Sequence, residues 1–172
     1  DRHICLSPAV ADIYEGAGVD GSLLDVIPNM VDPAMDAPNV DRSGPPRILY
    51  AGRLDPGKGV GLLLDAMGRV DEDFQLDVVG DDVLGFSENG LEGYRERAEQ
   101  AGVADRTGFH GWVDYDVLPN YYVKADLFVH PGTWPEPFGR TIIEAMQNGV
   151  PVACSDAGAP PWVADSACRT FR

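Results

Sequence analysis

The chain has 172 residues, and its 28 acidic and 13 basic side chains give a formal net charge of −15. This length predicts one domain-sized core, and the charge excludes a general binder of nucleic acid or anionic lipid, whose phosphates it repels. No apolar run reaches the roughly 18 residues of a membrane span, and no basic segment precedes an apolar stretch near the start. We therefore expect a cytoplasmic protein, and the first residue, Asp1, indicates a piece of a longer one.

The first 45 residues predict a helix, a short strand and a linker. Ser7 is a favourable N-cap and Pro8 occupies the preferred first position of a helix. An apolar run at 23–27 predicts a strand, and the Pro-, Asp- and Asn-rich stretch at 28–46 indicates a linker. We therefore expect a domain boundary at residue 45, with a globular domain over 46–172.

Short apolar runs alternate with helix-like segments from residue 46 onward. The runs predict buried strands at 48–51, 74–79, 108–112, 126–130 and 150–154. The segments between them predict helices at 58–69, 88–101, 116–124 and 139–148. This alternation predicts an α/β fold with a Rossmann-like open, mainly parallel sheet and helices on both faces.

Within the first of these helices, Leu62, Leu63, Ala66 and Met67 have the spacing of a stripe that faces the core. Ligands on open parallel sheets bind at the carboxyl ends of the strands. Candidate functional residues are therefore expected in the loops directly after the apolar runs.

The loop at 52–59 follows the first predicted strand of the domain and reads Gly-Arg-Leu-Asp-Pro-Gly-Lys-Gly. It matches the phosphate loop of nucleoside triphosphatases except that Gly59 replaces the Ser or Thr that ligates magnesium, which argues against that class. A glycine-containing loop before a helix N-terminus still favours an anion, and Arg53 and Lys58 add positive charge. The alternative is a tight turn with two solvated bases.

A second candidate segment surrounds Glu136 and Glu144. Pro137 should keep Glu136 extended, and Gly139 permits a close backbone approach where the next helix begins. The N–H groups at the start of this helix would face an anion, with Arg140 beside them. Two carboxylates would then flank one ligand. The alternative is that Glu136 is a loop charge and Glu144 lies on a solvated helix face.

Cysteine and histidine spacing indicates no metal site. The three cysteines form no Cys-x-x-Cys pair, and the three histidines lack the spacing of metal ligands. An odd number of cysteines without close spacing also argues against a disulfide scaffold and fits a reducing compartment.

The two loops, taken with several shorter motifs, are recognisable. The shorter motifs are Val-Ile-Pro-Asn-Met-Val-Asp at 26–32, Val-Val-Gly-Asp at 78–81, Phe-His-Gly-Trp-Val at 109–113 and Gly-Val-Pro-Val at 149–152. In this order, from about residue 7 to 158, they resemble the C-terminal donor-binding domain of GT-B glycosyltransferases, specifically the retaining family 4. In that family 26–32 would be the interdomain linker and first strand.

The resemblance implies roles for individual residues. The diphosphate of the donor would be held by Arg53, Lys58, Gly139, Arg140 and Thr141. Glu144 would bind the ribose, and the transferred sugar would contact Phe138, Gly139 and the catalytic Glu136. The base and its neighbouring loop would involve Gly80, His110, Gly111, Trp112 and Val113.

The resemblance also implies a function for the whole protein. It would transfer a hexosyl group with retention from a nucleotide-diphosphate-sugar, its substrate, to an acceptor, with no metal or cofactor. The acceptor domain is absent here, so this chain alone should bind the donor without transfer, and any membrane contact would run through the missing domain. The chain departs from the family at 158–161, where Gly-Ala-Pro-Pro replaces Gly-Gly-x-x-Glu, and we expect a domain truncated at its C-terminus.

Two other functions stay open on the same fold. One is a non-catalytic module that binds a nucleotide-sugar and regulates a partner. The other is a nucleotide-sugar epimerase. A phosphorylase of related fold would need a lysine for pyridoxal phosphate, and Lys124 ends a predicted helix rather than facing a strand end.

Overall fold

The computed structural model describes residues 1–31, 43–82, 85 and 89–171. The predicted linker at 28–46 falls largely on residues outside this description. The boundary expected at residue 45 therefore stays a prediction.

The N-terminal residues form a small βαβ unit. Strands β1 (His3–Cys5) and β2 (Leu24–Val26) pair in parallel and are joined by helix α1 (Pro8–Gly16). The Ser7 hydroxyl accepts a hydrogen bond from the backbone N–H of Val10 at 3.3 Å, which confirms the predicted N-cap. Strand β1 was not predicted, because three residues are too few for alternation to be visible.

A six-stranded sheet forms the centre of the fold. Its strands are β3 (Arg47–Ala51), β4 (Gln75–Val79), β5 (Thr107–Gly111), β6 (Leu127–His130), β7 (Val152–Ser155) and β8 (Cys168–Phe171). They lie in the order β5-β4-β3-β6-β7-β8, and every neighbouring pair is parallel. This is the Rossmann order, whose direction reverses between β3 and β6 and opens a crevice there. The predicted fold class is confirmed.

Within the described residues, five α-helices accompany this sheet. They are α2 (Val60–Met67), α3 (Gly90–Gln100), α4 (Pro119–Tyr122), α5 (Arg140–Gln147) and α6 (Pro160–Ala164). The first four correspond to the predicted segments. Helix α6 was not predicted, because two consecutive prolines usually indicate the end of a helix. Here they occupy the first turn, where the backbone N–H that proline lacks would have no partner within the helix. Within the described ranges, no helix is long and apolar enough to cross a membrane.

Apolar side chains cover both faces of the sheet. Leu76 and Val78 pack with α2 and α3 on one face, whereas Leu49, Phe128 and Val152 pack with α4 and α5 on the other. Neighbouring residues of a strand point to opposite faces, so the continuous apolar runs supply both layers.

Helix α2 buries a different stripe from the predicted one. Leu62 is 49% exposed and Ala66 is also exposed, so this part of the prediction is wrong. The buried positions are Val60, Leu63, Leu64 and Met67. The helix begins at Val60, and the i, i+3, i+4, i+7 stripe starts from that residue rather than from Leu62.

Two glycines bring the loops at the carboxyl ends of the strands into backbone contact. A Cβ atom on Gly80 would lie 1.8 Å from the Gly52 carbonyl oxygen, and one on Gly59 would lie 1.9 Å from the Pro131 carbonyl oxygen. The loops after β3, β4 and β6 therefore touch without side chains between them. The contact at Gly59 also leaves no space for the Ser or Thr of a nucleoside triphosphatase loop.

The close approach at Gly59 predicts a large loss of stability on substitution. Gly59 and Gly149 have nearly the same left-handed φ, +74° and +71°, but a Cβ on Gly149 would meet nothing within 4 Å. We expect Gly149→Ala to cost about 1–2 kcal/mol from backbone strain alone. Gly59→Ala should cost at least about 2 kcal/mol more, because Pro131 must move. Urea unfolding of both variants measures the difference, and equal costs would contradict the backbone contact.

Candidate functional site

A cleft of about 690 Å³ opens at the carboxyl ends of β3, β4, β5 and β6, the crevice that the strand order creates. Leu6 and Asn29 from the N-terminal unit complete its wall. Of the predicted site residues, those that line it are Arg53, Lys58, Gly80, Trp112, Val113, Glu136, Phe138, Gly139, Arg140, Thr141 and Glu144.

The loop after β3 carries two cations into the cleft. The hydroxyl of the buried Tyr50 donates a hydrogen bond to the Arg53 carbonyl oxygen at 2.6 Å, which holds the loop against the sheet. Burial raises the pKa of Tyr50 well above its usual value, so the hydroxyl stays protonated. The Arg53 guanidinium lies 3.2 Å from the Asp55 carboxylate. Lys58 ends a short 3₁₀ turn just before α2.

Glu136 is held in place by its backbone. Its N–H donates to the Ala157 carbonyl at 3.0 Å, and its carbonyl accepts from the Ala159 N–H at 2.8 Å. A Cβ atom on Gly158 would lie 2.5 Å from two Glu136 backbone atoms, so this approach requires glycine. The loop after β7 therefore fixes the position of Glu136, and the expected extended backbone is observed as an isolated parallel bridge to Gly158.

The side chain of Glu136 lies in a charged cluster. The Lys58 ammonium donates a hydrogen bond to Glu136 Oε2, and His130 Nε2 lies 3.9 Å from the same oxygen. Burial lowers the pKa of His130 and Lys58 lowers it further, although Glu136 opposes them. The imidazole is therefore neutral at pH 7. Glu136 is 13% exposed and is not a solvated loop charge.

Glu144 is buried in the cleft wall rather than on a solvated helix face. Its residue is 8% exposed, and its Oε2 atom accepts a hydrogen bond from the Tyr122 hydroxyl at 3.0 Å. Tyr122 is itself buried, and this burial raises the pKa of its hydroxyl well above the usual value. Arg140 lies one turn earlier on α5, with a guanidinium nitrogen 3.9 Å from Glu144 Oε1.

Helix α5 directs its N-terminus into the cleft. Gly139 caps it in a left-handed conformation with φ +89°, and the first N–H groups of the helix have no partner within it. Phe138 just before the cap is buried and packs edge-on against Trp162, with ring centroids 6.4 Å apart. These contacts hold the segment in position. The helix N-terminus and Arg140 together have the charge that suits an anion.

His110 and Gly111 are not among the described residues that line the cleft, and the base-side role implied for them stays a prediction. The pairing of β5 with β4 shifts at this point, so Gly111 rather than His110 pairs with Val79. A bulge of this kind redirects side chains. His110 Nε2 instead lies 2.7 Å from Asp77 Oδ1, and the Gly111 carbonyl accepts the Gly80 N–H.

Two residues at the site were missed by the sequence reasoning. His130 ends a predicted strand, so the rule that ligands bind at strand ends could have found it. Tyr122 had no such signal, because it reaches Glu144 from another helix. Among the described residues, no three His, Cys, Asp or Glu side chains are grouped to hold a metal ion.

Comparisons with known proteins agree with this geometry. The sequence model of the family described as glycosyl transferases group 1 matches residues 32–167. The phosphatidyl-myo-inositol mannosyltransferase of Mycobacterium leprae is 36% identical over 143 residues, which cover 77% of this chain and 35% of that protein. The GDP-mannose-dependent alpha-mannosyltransferase of Mycolicibacterium smegmatis is 36% identical over 127 residues, covering 74% and 30%.

Comparison with solved structures also agrees with this geometry. Anabaena HepE in complex with UDP-glucose aligns with a TM-score of 0.85 and 25% identity, over 98% of this chain and 49% of that one. Sucrose-phosphate synthase from Thermosynechococcus elongatus aligns with a TM-score of 0.78 and 30% identity, over 97% and 44%. The chain thus spans about half of these structures and about a third of the two curated relatives. The chain belongs to the glycosyl transferases group 1 family.

Proposed function

We propose that this chain is the donor-binding half of a retaining glycosyltransferase and that it binds a nucleoside diphosphate sugar in the cleft. The observation that carries the proposal is that Arg53, Lys58 and the N-terminus of α5 line one cleft together with two carboxylates, Glu136 and Glu144. Cations and free N–H groups suit a diphosphate, and carboxylates suit the hydroxyl groups on either side of it.

The diphosphate would lie against Arg53, Lys58, Arg140 and the backbone of Gly139 and Thr141. When the bond to the sugar breaks, negative charge develops on the departing diphosphate. Fixed positive groups in a partly enclosed cleft stabilise that charge by several kcal/mol. In this proposal the cations neutralise the leaving group without a metal ion.

Glu144 would bind the ribose. Tyr122 donates to its Oε2 atom, and Oε1, with Arg140 3.9 Å away, would be the oxygen that accepts from the ribose hydroxyl groups. Glu136 and Phe138 would contact the sugar at the other end of the diphosphate. The sugar gains positive character in the transition state, and the Glu136 carboxylate stabilises that character without forming a bond to it.

The base would lie beside Trp112 and Val113, with Gly80 allowing the close approach of the loop. Trp112 is 68% exposed and lines the cleft, and a flat aromatic surface of this kind suits a stacked base. His110 has no part in this proposal, because its side chain is bound to Asp77.

Relatives indicate which donors to test. HepE is in complex with UDP-glucose, and the Mycolicibacterium smegmatis relative is GDP-mannose-dependent. We therefore propose a hexosyl donor. Because the chain covers about half of its structural relatives, the acceptor would be bound by a further domain, which would also make any membrane contact. The cytoplasm is the proposed location.

Calorimetric titration of this chain with UDP-glucose and GDP-mannose tests donor binding, and failure of both would contradict the proposed hexosyl donor. Transfer by the longer protein then separates the alternatives. A glycosyltransferase consumes donor only with an acceptor, an epimerase turns over without one, and a regulatory module binds without turnover.

NMR of the anomeric proton in the product tests retention of configuration at the transferred sugar. An inverted product would contradict the proposed retaining reaction.

The phosphate-binding role predicts selective losses of affinity. Arg53→Ala and Lys58→Met should each weaken binding of the intact donor by roughly tenfold or more, the value of one hydrogen bond to a charged group. Binding of the corresponding nucleoside should change far less, because it carries no phosphate. Arg69→Ala, which removes an exposed cation of the α2–β4 connection, is the matched control. Equal losses for donor and nucleoside would contradict the assignment.

The ribose-binding role predicts a different pattern. Glu144→Gln should weaken binding of the free nucleoside and of the donor alike, by about 1–3 kcal/mol, because both ligands carry the ribose. Glu96→Gln, at an exposed carboxylate of α3, controls for the change of net charge. Calorimetry of both variants measures the effect. Unchanged nucleoside affinity in Glu144→Gln would place the ribose elsewhere.

A further inference from the structure

Lys58 and Glu136, assigned above to different parts of the donor, are bonded to each other in the cleft. Their side chains are 20% and 13% exposed, so the contact is partly shielded from water. His130 Nε2, at 3.9 Å, also faces the carboxylate, but burial lowers its pKa and keeps it neutral. Among the described side chains, Lys58 is therefore the charged partner of Glu136.

Backbone contacts hold together the two loops that carry Lys58 and Glu136. The Gly57 carbonyl accepts hydrogen bonds from the N–H groups of Thr133 and Trp134, at 2.9 and 3.2 Å. The Gly59 contact with Pro131 packs the same two loops together. A ligand phosphate that binds Lys58 therefore competes with Glu136 for the ammonium, and movement of the side chain toward the phosphate must overcome the charge-assisted hydrogen bond between them.

We propose, building on the proposed function, that Glu136 competes with the terminal phosphate for Lys58 and thereby makes the cleft prefer the intact donor to the free nucleoside diphosphate. The sugar of the intact donor offers hydroxyl groups that donate to the Glu136 carboxylate. These hydroxyls replace the Lys58 ammonium as its hydrogen-bond donors and release Lys58 to the phosphate. Glu136 is thus a specificity-determining residue.

The free nucleoside diphosphate is disfavoured in two ways. It has no sugar hydroxyls, so Glu136 keeps its hold on Lys58. Its terminal phosphate also carries about one more negative charge near neutral pH than the sugar ester does, and the carboxylate repels that charge. The pair therefore weakens retention of the spent nucleotide, which must leave before the next donor binds.

The test is calorimetric titration of the full chain and of Glu136→Gln with UDP, UDP-glucose, GDP and GDP-mannose. We expect Glu136→Gln to bind the free diphosphate roughly tenfold more tightly, the value of one hydrogen bond to a charged group, while its affinity for the sugar ester falls or stays unchanged. Glu96→Gln, which loses the same charge on α3, should change neither. A weaker or unchanged affinity for the free diphosphate in Glu136→Gln would overturn the proposal.

The double variant Lys58→Met/Glu136→Gln isolates the competition from simple repulsion. In the Lys58→Met background, Glu136→Gln should tighten diphosphate binding far less, because no ammonium remains to be released and only the repulsion is relieved. An undiminished gain there would overturn the proposal in favour of repulsion alone.

Inorganic pyrophosphate, which has neither base nor sugar, separates this proposal from the proposed function. Tighter pyrophosphate binding by Glu136→Gln without any nucleotide binding would support the competition and contradict the proposed function. Nucleotide binding without the gain in Glu136→Gln would contradict the competition and leave the proposed function standing. Binding of neither probe by any variant would contradict both.

Discussion

The cleft depends on backbone-to-backbone contact between loops that leave different strands of the sheet. At Gly59, Gly80 and Gly158, any Cβ atom would lie 2.5 Å or less from a backbone atom of a neighbouring loop. Side chains at these positions would force the neighbouring backbones apart. Because the loops touch directly, cations from one and a carboxylate from another meet in a single site, and the geometry of that site is set by the rigid sheet beneath it.

The balance of basic and acidic side chains in the cleft differs from that of the whole chain. The protein carries 28 acidic and 13 basic residues, yet three cations line this cleft among the residues that the structure describes. Each has a carboxylate within 4 Å: Asp55 beside Arg53, Glu136 beside Lys58, and Glu144 beside Arg140. The cations are thus neutralised locally in the absence of a ligand. An anionic ligand gains less binding free energy at such a site than beside unpaired cations. The selectivity of the site among anions then depends on the other groups that each ligand presents to the carboxylates.

The N-terminal βαβ unit also belongs to the site, because Leu6 follows β1 and Asn29 follows β2, and both reach the cleft wall. Apolar side chains of this unit remain exposed, among them Ile4 at 66% and Ile13 at 58%. The structural relatives are about twice as long as the matched region.

The sequence by itself determined the fold class and most of the charged residues that meet in the cleft. Alternating apolar runs and helical periods encode a parallel α/β sheet, and such a sheet collects the loops after its strands at one edge. Arg53 and Glu136 could be found in this way because each stands in a loop after a predicted strand. These signals are local, since strand and helix periods extend over only a few residues.

The tertiary structure alone decided how those residues pair. Lys58 meets Glu136 across 78 residues of chain, and Tyr122 reaches Glu144 across 22, distances over which no local pattern carries information. The direction of His110 depended on a one-residue shift between β4 and β5, since a bulge redirects a side chain without changing the sequence pattern. Spacing along the chain identifies which groups are available at a strand end, whereas register and packing determine which atoms come within hydrogen-bond distance.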